Sequence, residues 1–202
     1  MPDEAASSGY GQPIGSHFAP HNPAYVDLTN TYPYDLAKAK ELLKEAGYPD
    51  GFKATLKLPP VPYARQGGEV IASQLREIGI QLEIIPVEWA DWLKQVFTDK
   101  DYDLTIVSHT EPNDIDIYAR KDYYFNYDNP AFDKVIEELN LTSDDAKRTA
   151  LYKQAQKILA DDAVNGFLFE LPKIGIWDAK VEGLWENSPI QANDLTKVKW
   201  VD

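Results

Sequence analysis

The side chains best suited to chemistry are concentrated between Tyr102 and Arg120. An apolar strand, predicted over Leu104 to Val107, runs directly into a polar loop there. The loop carries an imidazole, three carboxylates, a phenol and a guanidinium, from His109, Glu111, Asp114, Asp116, Tyr118 and Arg120. Open α/β sheets bind ligands at the carboxyl ends of their strands, so we predict that this loop forms part of a ligand site.

The residue types of this loop fit four different roles. The loop could contact a ligand, or it could be a solvated acidic surface. Glu111 with Asp114 or Asp116 could be the acid pair of a glycosidase, but their spacing does not ensure the separation of about 5 to 9.5 Å that this chemistry needs. His109, Glu111 and Asp114 could bind a divalent ion, yet His17 and His21 lie in an unrelated segment and no HExxH or EF-hand spacing is present. We favour ligand contact and expect no metal, cofactor or catalytic residue.

Composition excludes several classes of partner. The 33 acidic residues against 20 basic ones argue against nucleic acid, because phosphate-backbone binding needs a basic surface. No apolar run is long enough for a membrane span, and the first residues lack the features of a signal peptide. The absence of cysteine excludes disulfides and thiolate metal sites.

Segments with the two-residue hydrophobic period of a strand alternate with segments that have the 3.6-residue period of a helix. This alternation predicts an α/β fold with a mainly parallel sheet and flanking helices. Strands are expected at Phe52 to Leu58, Ile80 to Val87 and Leu104 to Val107. Helices are expected at 35–46, 69–79 and 88–98, the first capped by Asp35 and ended by Gly47. Right-handed crossovers would bring the loops after the strands to one edge.

Two further aromatic residues belong to that edge. Tyr63 lies in the loop predicted over Pro59 to Gly68, and Trp89 starts the helix that follows the second strand. Both are candidates to line the ligand site, although a tryptophan at such a helix start is more often a core residue. Tyr123, Tyr124 and Tyr127 are expected to be packing residues.

The second half of the chain reads as helices followed by short strands. Asn129 and Pro130 open one helix, and Ser143 or Asp144 caps another. Strands are predicted at 166–171 and 173–177. After Asp178 the sequence shows little helical periodicity.

Several segments, in order, resemble the carboxyl-terminal half of family 5 extracellular solute-binding proteins, the peptide and nickel receptors of bacterial ABC importers. The segments are YPYDLAKAKELLKEAGYPDGF, SQLREIGIQLEI, EWADWLKQV, YDLTIVSH, NYDNPAFDKVIEEL, KRTALYKQAQKILADDA and EGLWENSPIQANDLTKVKW. The resemblance covers nearly the whole chain.

The resemblance implies one lobe of a two-lobed receptor of the type II periplasmic-binding-protein kind. Residues 1–34 would be an extended lead-in or hinge rather than a packed element, 35–178 the α/β ligand-binding lobe, and 179–202 a tail that completes the other lobe. The chain would be an excised fragment without its export signal. The intact receptor would be periplasmic or anchored at the cell surface, would deliver ligand to a membrane permease, and would not itself insert in the membrane.

The resemblance also implies a role for the acidic loop. In peptide-binding relatives an aspartate of this loop pairs with the amino group of the peptide, which makes Asp114 and Asp116 the candidates here. Many relatives carry Gly-Trp after the strand, whereas this chain has Ser108-His109. The implied ligand is a peptide or a peptide-like amine.

Overall fold

The computed structural model describes residues 9–111, 113–185 and 194–201. The strands are β1 (Gln12–Pro13), β2 (Lys53–Leu58), β3 (Gln81–Pro86), β4 (Leu104–Thr105), β5 (Phe169–Glu170), β6 (Val181–Glu182) and β7 (Lys199–Trp200). The helices are α1 (Leu36–Glu45), α2 (Pro62–Arg76), α3 (Trp89–Trp92), α4 (Pro130–Leu141) and α5 (Asp145–Asp161). Residues 1–8 of the predicted lead-in, and 186–193 and 202 of the predicted tail, lie outside the described residues.

The central sheet has strand order β3-β2-β4, and both pairings are parallel. Leu56 is paired with Ile84 on one side and with Leu104 on the other. The predicted parallel sheet is therefore confirmed. Its third strand is shorter than expected and ends at Thr105.

One face of the sheet packs under helix α2. Leu56 and Leu58 point to this face and are buried against Ala64, with Tyr63 at the margin of the cluster. The helix begins at Pro62, so the prediction of a loop through Gly68 was wrong. Proline is favoured at the first helical position because its missing N–H has no helical partner there. Tyr63 consequently lies in the first turn of a helix.

The opposite face packs under the segment that follows β3. Helix α3 continues into a π-helical turn over Leu93–Thr98, and together they fill the span predicted as one helix. Trp92 and Val96 are buried here against Tyr124. The indole N–H of Trp92 donates to Thr105 Oγ1 at 3.0 Å, and that hydroxyl donates to the Lys57 carbonyl at 2.7 Å, which links helix and sheet.

A second and larger core lies beside the sheet, between α4, α5 and a 3-10 turn over Ile115–Ala119. Its buried members include Ile115, Phe132 and Leu159. Phe18 and Ala24 of the lead-in are also buried in it. The expectation that this segment is unpacked was therefore wrong at Phe18 and Ala24, whereas residues 29–34 are exposed.

A buried glutamine holds the lead-in in place. Ser16 donates through its hydroxyl to Gln156 Oε1 at 2.9 Å, and Gln156 Nε2 donates to the Ala24 carbonyl at 2.7 Å. These bonds satisfy a buried amide that would otherwise be costly. The lead-in is thus positioned against helix α5, which matters for the site described below.

Helix α1 forms as predicted but packs on little. Asp35 caps it by accepting from the N–H groups of Ala37 and Lys38, and Gly47 follows it at a φ of 87°. None of the residues of α1 is buried. Its apolar stripe, which includes Leu42, is therefore left open to solvent.

Two small antiparallel pairs complete the described residues. Strand β1 pairs with β5, and β6 pairs with β7. The predicted strand over 166–171 is reduced to two residues, and the strand predicted over 173–177 was wrong, since these residues have no regular structure. No helix among the described residues has the length and apolar character needed to cross a bilayer.

Candidate ligand-binding site

At the carboxyl ends of the strands, the predicted site residue Tyr63 contacts the loop that carries the other candidates. The backbone N–H of Ser108, beyond β4, donates to the phenol oxygen of Tyr63 at 3.0 Å. Tyr63 starts the helix that follows β2, so this bond ties two neighbouring loops of one sheet edge. Burial raises the pKa of the Tyr63 phenol, which therefore stays neutral and able to hydrogen-bond.

Asp114 lies between two histidines. His17 Nε2 donates to Asp114 Oδ1 at 2.7 Å, whereas His109 Nδ1 is 3.6 Å from Oδ2. The side chains of His17 and Asp114 are 6% and 11% exposed. Burial alone would raise the pKa of Asp114, but His109 and His17 outweigh it and hold the pKa well below its usual range. Asp114 is thus a half-buried carboxylate that stays ionised.

The other ring nitrogen of His17, Nδ1, also has a polar neighbour. Tyr118 OH lies 3.3 Å from His17 Nδ1 and accepts from Asn165 Nδ2 at 2.5 Å. The phenol oxygen of Tyr118 thus lies between the Asn165 amide and Nδ1 of His17. The ring of His17 is therefore oriented with Nε2 toward Asp114.

Tyr118 was predicted to line the site, and the structure places it in the larger core. Its side chain is 3% exposed and its ring stacks on Phe125 with centroids 4.6 Å apart. Burial raises the pKa of its phenol. Tyr118 acts on the site through His17 rather than by facing it.

Asp116 and Arg120 form a pair of their own. Arg120 donates to Asp116 Oδ2 at 3.0 Å, and its guanidinium lies 5.6 Å from the centre of the Tyr123 ring. Both members of the ion pair are about half exposed. Asp116 is thus paired with a guanidinium and Asp114 with histidines, so the two candidate aspartates have different surroundings.

The remaining predicted residues lie at the rim. His109 stacks beside Tyr124 and exchanges a 2.8 Å hydrogen bond with its phenol through Nε2. Glu111 is exposed, and Trp89 is largely exposed with its ring edge on Trp92. The predicted packing role of Tyr124 is confirmed, since it is 2% exposed.

Sequence reasoning missed His17, Asn165 and the contact role of Tyr124. His17 was set aside as part of an unrelated segment, and that interpretation was wrong, because the lead-in folds back onto the loop. Its partner Asp114 is 97 positions away in the chain. No local pattern signals such a contact; only the apolar neighbour Phe18 hinted that the segment packs.

The parallel sheet with helices on both faces and a polar loop at its carboxyl edge defines one lobe of a type II periplasmic-binding-protein fold. The structure of the periplasmic binding protein DppA from Helicobacter pylori in complex with the peptide STSA superposes with a TM-score of 0.80 at 27% identity, over 98% of this chain and 41% of that chain. The oligopeptide-binding protein AppA from Bacillus subtilis, in complex with a nonapeptide, shares the fold with a TM-score of 0.79 at 22% identity, over 100% of this chain and 45% of that one.

Residues 4–112 match the family described as bacterial extracellular solute-binding proteins, family 5. The chain belongs to this family. It is 31% identical over 173 residues to the di/tripeptide-binding protein 1 of Pseudomonas aeruginosa, covering 78% of this chain and 32% of that protein. It is 32% identical over 176 residues to the dipeptide-binding protein of Escherichia coli, covering 79% of this chain and 33% of that protein. The chain thus spans about a third of the length of these relatives.

Proposed function

We propose that this chain supplies one half of the ligand cleft of an ABC import receptor for peptides or peptide-like amines, and that Asp114 binds the ligand's amino group. The observation that carries this proposal is the half-buried, ionised carboxylate of Asp114 at the carboxyl edge of the parallel sheet. Relatives named as dipeptide- and tripeptide-binding proteins support the ligand class.

The geometry favours Asp114 over Asp116. His17 occupies Oδ1 of Asp114, while Oδ2 is too far from His109 for a hydrogen bond and keeps its lone pairs available. The equivalent oxygen of Asp116 is taken by Arg120. An ammonium group at Asp116 would compete with a permanently charged guanidinium for the same carboxylate, whereas Asp114 has only imidazole partners.

Tyr63, Trp89 and His109 would form the wall around this anchor. Tyr63 and His109 flank Ser108 at the sheet edge, and Trp89 adds exposed aromatic surface at the start of α3. Glu111 stands at the solvent side. A second lobe closing over this surface would exclude water and strengthen the ion pair, which is how two-lobed receptors gain affinity.

The proposal also includes the division of the chain between the two lobes and the location of the full receptor. Residues 9–34 lead into the lobe and add Phe18 and Ala24 to its core, residues 35–178 form its body, and the tail from 179 contributes to the other lobe. The full receptor would act outside the cytoplasmic membrane, periplasmic or surface-anchored, and would hand its ligand to a membrane permease. It would have no catalytic role; the relatives reported above are named as binding proteins.

The test is calorimetry on the full-length receptor with a panel of dipeptides and their N-acetylated counterparts. Asp114→Asn should weaken dipeptide binding by about 10- to 150-fold, equivalent to roughly 1.5 to 3 kcal/mol for a hydrogen bond to a charged group. Asp116→Asn is the matched control and should stay within about twofold. Acetylation should weaken binding to the wild type far more than to Asp114→Asn. If both aspartate variants bind like the wild type, the loop is a solvated surface and the proposal fails.

A further inference from the structure

The phenol oxygen of Tyr118 joins two segments that are far apart in the chain. It lies 3.3 Å from His17 Nδ1, in the lead-in, and accepts at 2.5 Å from Nδ2 of Asn165, which lies between α5 and β5. The other ring nitrogen of His17, Nε2, donates to Asp114 Oδ1 at 2.7 Å. Asn165, Tyr118 and His17, which we call the Tyr118 relay, therefore form a chain of hydrogen bonds that ends on the carboxylate of the candidate site.

Both outer members of the Tyr118 relay lie close to a strand pair. Strand β1, which precedes His17, and strand β5, which follows Asn165, are antiparallel partners. Next to this pair, the backbone N–H of Ile14 donates to the Leu168 carbonyl at 3.3 Å. The two segments are thus joined twice, once through their backbones and once through the phenol oxygen of Tyr118. Supporting groups that are fixed in this way hold a site residue more precisely than a single loop does.

The backbone on either side of His17 is also fixed. Ser16 Oγ donates to Gln156 Oε1 at 2.9 Å, and the backbone N–H of Phe18 donates to the same oxygen at 3.2 Å. Gln156 is buried in helix α5. The freedom that His17 retains is the rotation and the tautomer of its ring, and the partners of its two nitrogens control both.

The Tyr118 relay favours one tautomer of His17. A neutral imidazole carries a proton on one nitrogen and a lone pair on the other. With the proton on Nε2, His17 donates to Asp114, and Nδ1 can accept from the Tyr118 hydroxyl. The side chains of His17 and Tyr118 are both buried, so water does not readily replace a lost partner. Without the phenol, Nδ1 could take the proton, and Nε2 would then present a lone pair to a carboxylate.

We propose that Tyr118 and Asn165 are positioning residues for amine recognition: through His17 they hold Oδ1 of Asp114, so that Oδ2 faces the amino group of the ligand. The inference rests on the proposed function, because it takes Asp114 as the group that binds the amine. The relay acts through Asp114 alone, and its members do not contact the ligand. Such support raises affinity because the carboxylate does not have to be reordered when the ligand binds.

Calorimetry on the full-length receptor with dipeptides tests this role. Tyr118→Phe removes the phenol oxygen but keeps the ring, and it should weaken binding by about 3- to 10-fold, the range expected for one hydrogen bond. Asn165→Leu should weaken binding in the same direction, and it tests the relay even if Tyr118→Phe disturbs the core. Tyr127→Phe is the matched control, because that phenol bonds to Asp162 outside the relay, and its affinity should stay within about twofold of the wild type. Circular dichroism checks that each variant is folded.

A double-mutant cycle separates positioning from a general disturbance of the fold. Because the relay acts through Asp114, Tyr118→Phe should change affinity by less than about twofold when Asp114→Asn is already present. The same loss in both backgrounds would identify a purely structural effect and would overturn the inference. Wild-type affinity in both Tyr118→Phe and Asn165→Leu would overturn it as well.

The same measurements keep this inference apart from the proposed function. If Asp114→Asn weakens dipeptide binding while Tyr118→Phe and Asn165→Leu do not, the proposed function stands and the positioning role is removed. If Asp114→Asn binds dipeptides like the wild type, both fail, because the relay then has no ligand-binding group to position.

Discussion

At the scale of single residues, the site depends on a contact that no sequence pattern contains. The loop after β4 could be recognised as a candidate site because an apolar strand ends in a cluster of polar side chains. The choice between Asp114 and Asp116 could not be made that way, since both are acidic and two positions apart. The proposed choice of Asp114 rests on what each aspartate touches, which is His17 for Asp114 and Arg120 for Asp116.

Replacing His17 should destabilise the lobe. In His17→Ala the half-buried carboxylate of Asp114 loses its closest donor, and Tyr118 loses a partner, so we expect a loss of about 1 to 3 kcal/mol in the free energy of unfolding. Urea unfolding followed by fluorescence measures this. His21→Ala is the control, because His21 is largely exposed and should change stability little. Equal effects of the two substitutions would show that the buried contact contributes nothing.

A second carboxylate should give the lobe a measurable dependence on acid. Asp162 accepts hydrogen bonds from the Tyr127 phenol and from Asn129 Nδ2, and these lower the pKa of Asp162. A carboxyl whose pKa is lower in the folded state stabilises the fold above its unfolded pKa of about 4, and this contribution disappears as the pH falls through the folded pKa.

The comparison is between wild type and Asp162→Asn. The wild type should be more stable by about 0.5 kcal/mol at pH 6, a small value because the group is exposed and screened. The difference should shrink toward zero as the pH falls below 4. Thermal unfolding across this range provides the measurement, and a difference that grows in acid would contradict the assignment.

At the scale of elements, periodicity predicted what is local. The strands β2 and β3 and the cap of α1 were predicted because alternation, an Asp cap and a following glycine are local signals. The start of α2 was missed because the prolines and glycines between Pro59 and Gly68 usually interrupt a helix, so this segment was predicted to be a loop. Gly67 and Gly68 are buried in the helix where it crosses the sheet, and a side chain at Gly68 would press on Leu58. Packing thus requires glycines that the sequence alone suggested were loop residues.

Two glycine turns fix how the parallel strands begin. Gly51 precedes β2 with a φ of +75°, and a Cβ atom there would overlap the backbone of Gly79, which precedes β3. Gly47 has a φ of +87° with nothing within 4 Å of a Cβ atom. Alanine at Gly47 therefore incurs only backbone strain, of about 1 kcal/mol, whereas alanine at Gly51 adds a steric clash of about 1 to 3 kcal/mol.

Chemical unfolding of Gly51→Ala and Gly47→Ala should separate these two effects. We expect Gly51→Ala to be the less stable of the two by at least about 1 kcal/mol. Similar unfolding midpoints for both variants would mean that the turn at Gly51 does not touch the turn at Gly79.

At the scale of the whole molecule, the chain has well-packed cores beside surfaces with no partner. The sheet and the α4–α5 region bury their apolar residues, and the fold class was predictable from the alternation of periods. The apolar side chains beyond β5 remain open: Ile174 is 72% exposed and Ile176 94% exposed. Single exposed apolar residues are ordinary, but a contiguous run of them usually marks a surface that another body covers. We therefore expect Ile174 and Ile176 to be covered in the proposed full-length receptor.

Hydrogen exchange should distinguish this surface from the sheet. In the isolated chain, amides of residues 173–178 should exchange much faster than those of β2 and β3, because the segment has no regular structure while the strands are paired on the sheet. In the full-length receptor the same amides should become protected as Ile174 and Ile176 are covered. Peptides from β2 serve as the internal control and should exchange at similar rates in both proteins. Protection of residues 173–178 that already equals that of β2 in the monomeric chain would contradict the expectation that another part of the receptor covers Ile174 and Ile176.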